Sequence, residues 1–358
     1  MNISKDLSSS FMVANLFATI LIVALHYGSK DISRGYNLNY FIVEAVTNGI
    51  ARSAVPIFAL ISGYFVLNKV STLKGYQRII STKIHTLVVP YLAASTLVFF
   101  SSVAGKAILN QEQGQLLDLS LILYRVVAHP LATQFWFLRD LIILIIISPV
   151  LFNGNKYFHY GIGAFLFVCW FMDIQLFPIV AGWHIVNVET IFFFWLGGTI
   201  LRSSFNFHAL IFCKNTTKSI VTITWFMVIA FRIHIDPDFS VWYIRNYTIE
   251  SLILYKLAIL LGTINLLQLS SIVRKNKYLI YASGLTFFVY LFHTVPLRHF
   301  TVYTNRIIEA PYLFYINFPV ALVLVFLCAY IAAKYFPLFY NLVSRGRSPS
   351  KALARMTW

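Results

Sequence analysis

Apolar runs long enough to cross a bilayer recur along this chain, and they constrain its fold more than any motif. A hydrocarbon core about 30 Å thick is spanned by a helix of roughly 20 apolar residues. Such runs fall near 11–27, 44–67, 84–104, 135–152, 157–175, 184–201, 218–235, 248–269, 278–297 and 312–336. Of the 358 residues, 59% are hydrophobic and 11% charged, whereas a soluble domain carries about a quarter charged residues. Lipid solvates apolar surface that would aggregate in water. An open sheet edge cannot face hydrocarbon, and the alternating segments of a barrel, roughly ten residues each, are not seen. The expectation is an all-α, polytopic integral membrane bundle of about ten transmembrane helices.

Charge gives an independent reading. An even number of spans puts both termini on one side. If that side is the cytoplasm, its segments hold seventeen Lys and Arg against one acid, Asp6; the outer loops hold eight cations and eight acids. Basic loops stay inside and face anionic headgroups, so the net charge of +16 points to membrane lipid and to no nucleic acid. The N-terminal run ends in His-Tyr-Gly without a cleavage site and reads as a first span. Cys169, Cys213 and Cys328 form neither a CxxC pair nor a Cys/His metal spacing. The chain reads as one transmembrane domain over 1–340, with an interfacial helix expected in the loop 105–134. A short basic cytoplasmic tail is expected at 341–358.

Ionisable residues inside spans cost several kcal/mol on insertion scales and mark functional sites. His26 ends the first span and Arg52 lies in the outer half of the second, whose mouth carries Glu44. Trp136, Arg139 and Asp140 open the fourth; His184 and Glu189 open the sixth; Lys256 lies in the eighth; Tyr290 and His293 close the ninth. On the topology above, these groups gather toward the outer leaflet, where a shared wet cavity would satisfy them. A histidine there can take a proton from a sugar hydroxyl or carry an acyl group. Arginines can stabilise an oxyanion or hold anionic groups, and Trp and Tyr offer flat faces to sugar rings.

Several segments resemble the membrane acyltransferase 3 family. Asn15-Leu16-Phe17-Ala18 through Val23-Ala24-Leu25-His26 is similar to its first helix. Val55-Pro56-Ile57-Phe58-Ala59-Leu60-Ile61-Ser62-Gly63-Tyr64, with Arg52 ahead of it, resembles its second. Phe135-Trp136-Phe137-Leu138-Arg139-Asp140-Leu141 with Ser148-Pro149 resembles a third landmark. Val89-Pro90-Tyr91, Phe193-Phe194-Trp195-Leu196-Gly197 and Tyr290-Leu291-Phe292-His293 are weaker matches. Two positions depart: the family's first-helix Arg falls on Asn15, and the second of a basic pair before the third helix falls on Thr86, after Lys83.

The resemblance implies a multi-pass enzyme of the bacterial inner (plasma) membrane, both termini cytoplasmic. It would transfer acetyl from acetyl-CoA, or another acyl-CoA, to a hydroxyl of a surface polysaccharide or lipid-linked sugar. The acyl-CoA would be a donor substrate, with no resident cofactor and no metal. His26, Arg52 and Arg139 would be catalytic. Trp136, Asp140, His184, Glu189, Tyr290 and His293 would bind substrate. Lys83, Arg78 and Lys74 would hold the donor's phosphates. The alternative is a transporter or flippase for a lipid-linked sugar or small metabolite, which would use the same buried charges as a path and carry internal repeats.

Overall fold

A computed structural model describes residues 4–28, 36–70, 72–108, 124, 132–152, 155–180, 183–200, 206–241, 245–295, 304, 306–309, 312–345 and 347–354. The chain is a helical bundle. Helices α1 (Lys5–His26), α2 (Leu38–Glu44), α3 (Ala54–Val70), α4 (Leu73–Lys83) and α5 (Val89–Ile108) form its first part. Then come α6 (Trp136–Phe152), α7 (Lys156–Phe171), α8 (Val188–Ile200), α9 (Phe207–Ile211), α10 (Asn215–Ile235) and α11 (Ile249–Val273). The chain continues through α12 (Lys277–Ser283), α13 (Thr286–Phe292), α14 (Leu313–Tyr335), α15 (Pro337–Ser344) and α16 (Pro349–Ala354). Many starts are written locally. The side chains of Ser4, Asn37, Thr72, Asn155, Asn206, Thr248 and Asn276 each accept a first-turn N–H, which pairs a donor the helix itself leaves open.

Among the described residues, six helical stretches are long and apolar enough to cross a membrane. They are Lys5–His26, Leu38–Leu67, Leu73–Ser101, Asn215–Ile235, Ile249–Val273 and Leu313–Tyr335. The other four expected spans fall on shorter or broken helices. The runs at 135–152 and 157–175 form α6 and α7, of 17 and 16 residues. The run at 184–201 begins only at Val188, because Ile179–Val180 and Trp183–His184 pair as a two-residue antiparallel ladder that the sequence pattern does not announce. The run at 278–297 breaks at a turn through Gly284 between α12 and α13. A ten-span count therefore does not follow from helix length; the all-α membrane bundle does. The expected interfacial helix of loop 105–134 falls almost wholly outside the described residues.

Packing sets the order from centre to rim. In α1, 67% of the most apolar window is buried inside the bundle, against 28% in both α10 and α14. Phe226, Met227, Val323 and Leu327 on those outer helices are exposed, as residues facing lipid are. The tightest crossing joins α3 to α8. A Cβ on Gly63 would lie 1.8 Å from the Phe194 carbonyl oxygen, and one on Gly197 would lie 1.9 Å from that of Leu60. Only glycine lets the two backbones meet, as small residues do between membrane helices.

Irregular turns interrupt two of the spans. In the second, a π-helical turn (Ala45–Gly49) and a 3-10 turn (Ile50–Ser53) stand between α2 and α3. In the third, another π-helical turn (Ile84–Val88) separates α4 from α5, just before Pro90. Such turns displace side chains from the regular helical register and recur at functional sites.

Candidate active site

Among the described residues, two cavities share an aromatic wall. The upper one, about 530 Å³, sits at the end where α1 finishes; the lower one, about 220 Å³, sits at the end where α1 begins and the C-terminal helices pack. Phe137 and Tyr290 line both. With Phe58 they form an aromatic septum whose ring centroids are 5.9 to 6.4 Å apart.

His26 lines the upper cavity as the last residue of α1. Behind it, at the end of α13, lies the buried His293, with ring centroids 4.8 Å apart. Their partners assign the tautomers. His293 Nδ1 is 2.9 Å from the Tyr290 carbonyl oxygen, and His26 Nδ1 is 2.8 Å from that of Ile22. A carbonyl oxygen only accepts, so each Nδ1 carries the proton. His293 Nε2 then holds a lone pair 3.2 Å from His26 Nδ1 and shares its N–H. His26 is left with the lone pair on Nε2. Tyr27 Oη donates to the His293 carbonyl at 3.1 Å, which fixes the second histidine against the first helix.

Arg52 enters the cavity from the irregular turns between α2 and α3. Its Nε and Nη2 donate to Asn48 Oδ1 at 3.0 and 2.5 Å; Asn48 Nδ2 donates to Glu44 Oε2 at 3.1 Å. Glu44 Oε1 accepts from Arg232 Nη1 at 2.7 Å, with both side chains almost wholly buried. One chain of contacts therefore runs from α10 to the guanidinium in the cavity. Glu189 also lines the cavity and accepts from Trp170 Nε1 at 3.1 Å. Lys256 lies beside Asp173, Nζ to Oδ1 3.7 Å, and over the Trp170 ring at 5.2 Å.

The segment 236–241 closes the upper mouth against α2. Tyr40 Oη donates to the Pro237 carbonyl at 2.6 Å, and Tyr36 Oη donates to Asp238 Oδ2 at 2.5 Å. That carboxylate, accepting the hydrogen bond, holds the Tyr36 phenol above its ordinary range.

The structure gathers His26, Arg52, Trp136, Glu189 and Tyr290 around one cavity, with His293 against His26. It does not bring Arg139, Asp140 or His184 there. Arg139 Nη2 donates to the His184 carbonyl at 2.5 Å, and Asp140 Oδ2 accepts from Asn187 N and Nδ2 at 2.9 and 3.2 Å. These groups clasp α6 to the start of α8. His184 itself turns to the Phe177 carbonyl, Nδ1 to oxygen 2.7 Å. Lys74, Arg78 and Lys83 stand on α4 and line neither cavity. Sequence reasoning passes over Asn48, Gln134 and the depth of Arg232. Asn48 stands four residues before Arg52, the spacing that stacks side chains on a helix. The Gln134 side chain donates to the Leu291 carbonyl at 3.1 Å and to Thr294 Oγ1 at 2.8 Å, and its backbone carbonyl accepts from Tyr290 Oη.

The fold is a helical membrane bundle, and a paired histidine and a tethered arginine line its upper cavity. The chain belongs to the acyltransferase 3 family: the family model, described as an acyltransferase domain, matches residues 13–334. It is thus a membrane acyltransferase. A search of curated proteins and a search of solved structures each return no match.

Proposed function

We propose that this acyltransferase moves an acetyl group from acetyl-CoA to a hydroxyl of a surface polysaccharide or lipid-linked sugar, with His26 as general base. The observation that carries the reading is the histidine pair, in which His26 keeps a lone pair on Nε2 at the wall of a polar cavity. As the acceptor oxygen attacks the thioester carbonyl, Nε2 takes the hydroxyl proton. The carbonyl oxygen gains charge and meets the Arg52 guanidinium. The tetrahedral intermediate then expels the coenzyme A sulfur, and the proton on His26 returns to that thiolate. His293 and Ile22 hold the ring in place throughout.

In this reading the enzyme sits in the bacterial inner membrane with both termini cytoplasmic. The lower cavity then opens to the donor and the upper cavity to the acceptor. A pantetheine arm is long and thin, and the septum of Phe58, Phe137 and Tyr290 is the layer of rings between the two chambers. Rotation of those rings would let the arm reach His26 while the bulk of the donor stays below.

The test supplies membrane vesicles with labelled acetyl-CoA and lipid-linked glycan. Label entering glycan with the wild type and not with His26→Ala, at equal protein, supports the reading. Glycan uptake with no acylation would overturn it in favour of the transporter.

A further inference from the structure

The lower cavity takes its charge from a part of the chain outside the family match. Its described lining holds two cations, Arg347 and Lys351, and no carboxylate. Both lie in the segment after α15, beyond residue 334, where the family match ends. We propose that this C-terminal segment, through Arg347 and Lys351, forms the binding wall for a phosphate group of the acyl-CoA donor at the lower mouth. The inference rests on the donor reading above and goes beyond it by naming the phosphate-holding groups.

The segment is seated rather than trailing. Pro90 has no N–H to offer the carbonyl four residues back, that of Thr86; that carbonyl accepts from Arg347 Nη1 at 2.8 Å. The Arg347 guanidinium lies over the Phe287 ring, 3.8 Å from its centroid, a stacking Lys would not reproduce. Next to it, Pro349 packs so closely on Gly284 that a Cβ there would come within 2.7 Å of it. Before it, Tyr340 Oη donates to the Gly284 carbonyl at 2.8 Å. After it, Ala352 packs with Val13 and Ile280. Contacts on both sides of Arg347 thus hold two cations at a fixed place on the cavity rim. A seated guanidinium and an exposed lysine on the same rim bring two positive charges to a phosphate.

Asn15 and Thr86, where the resemblance leads one to expect cations, are neutral, and the C-terminal segment reaches both. Asn15 lines this cavity together with Arg347 and Lys351. Thr86 gives Arg347 its carbonyl. The C-terminal cations therefore stand where the bundle's own helices leave the cavity uncharged, while Lys74, Arg78 and Lys83 lie off its wall.

Coenzyme A and 3′-dephospho-coenzyme A are the probes, added to the full chain in phosphatidylcholine nanodiscs. Lys351 makes none of the seating contacts, so Lys351→Ala should keep the wild-type unfolding temperature. It should bind coenzyme A about tenfold more weakly. Arg347→Ala should lose at least as much, and Arg347→Lys should recover only part. In acyl transfer, Lys351→Ala should raise KM for the acyl donor and leave kcat and the acceptor KM unchanged. Undiminished coenzyme A binding by both alanine variants would overturn the phosphate wall and leave the acyltransferase reading standing. No binding by the wild type would overturn the donor reading itself. Release of coenzyme A by added phosphatidylglycerol, with the variants altering only lipid retention, would show a lipid headgroup site and overturn the proposal too.

Discussion

The upper and lower cavities share two aromatic side chains and little else. Above the septum, the polar side chains are held by partners within the bundle: Arg52 by Asn48, which is itself tied to Glu44, Glu189 by Trp170, His26 by Ile22 and His293. Below it, the helices contribute neutral groups such as Asn15, Thr19, Ser62 and Thr286, and the cations arrive from the C-terminal segment. The difference is physical. Groups that must meet a developing charge gain from being fixed before it develops. On the proposed reading, chemistry is built into the crossing helices, and capture is left to a segment docked at the rim.

The comparison breaks first at His26. His26→Ala should reduce acyl transfer by about a thousandfold, the middle of the range for a positioned proton-transfer group, with donor binding at the lower cavity retained. Equal loss of donor binding would mean that the two chambers are not separate. Glu44→Ala is expected to act on stability. It strands the buried Arg232 guanidinium, which should cost about 3 kcal/mol and show as a lowered unfolding temperature in detergent. The pair Glu44→Gln with Arg232→Met should lose less than the two single changes together, because no uncompensated charge remains.

The two chambers also differ in how far the sequence discloses them. His26, Arg52, Glu189 and His293 are legible because hydrocarbon penalises each of them, so their mere presence in apolar runs points to a polar cavity. Arg139 and Asp140 look equivalent by that rule. They are instead spent on the α6–α8 clasp, and a residue's depth in a helix says nothing of its azimuth toward one neighbour or another. Spans that rely on length alone, such as α1 and α11, can be placed from hydropathy, whereas the turn at Gly284 in the ninth run, against which Pro349 packs, cannot. The lower cavity is illegible. Asn15, Ser62 and Thr286 are ordinary in membrane helices, and Arg347 reads as one more basic residue of a tail until its seat on Phe287 is seen.

The septum tests whether the chambers are held apart by one anchor. Tyr290 is buried and donates through Oη to the Gln134 carbonyl. Tyr290→Phe keeps the ring and removes that bond, leaving a buried acceptor unmet, at a cost of about 1 kcal/mol. A correspondingly small drop in unfolding temperature is expected. No change at all would mean that water satisfies Gln134 from the upper cavity.

The smallest expected effect sharpens the comparison most. Lys74 and Arg78 are exposed on α4, away from both cavity walls. Their charges are screened by water and salt, and an exposed charge that lies off the binding wall contributes less than about 1 kcal/mol. Lys74→Ala and Arg78→Ala should therefore shift the KM for acyl donor by less than about twofold, and raising ionic strength should erase even that. Lys351, also exposed but on the rim, should shift it several times more. A larger effect from α4 than from the C-terminal segment would move donor capture back onto the cations that precede the third span, and the lower cavity would lose its role as the entry.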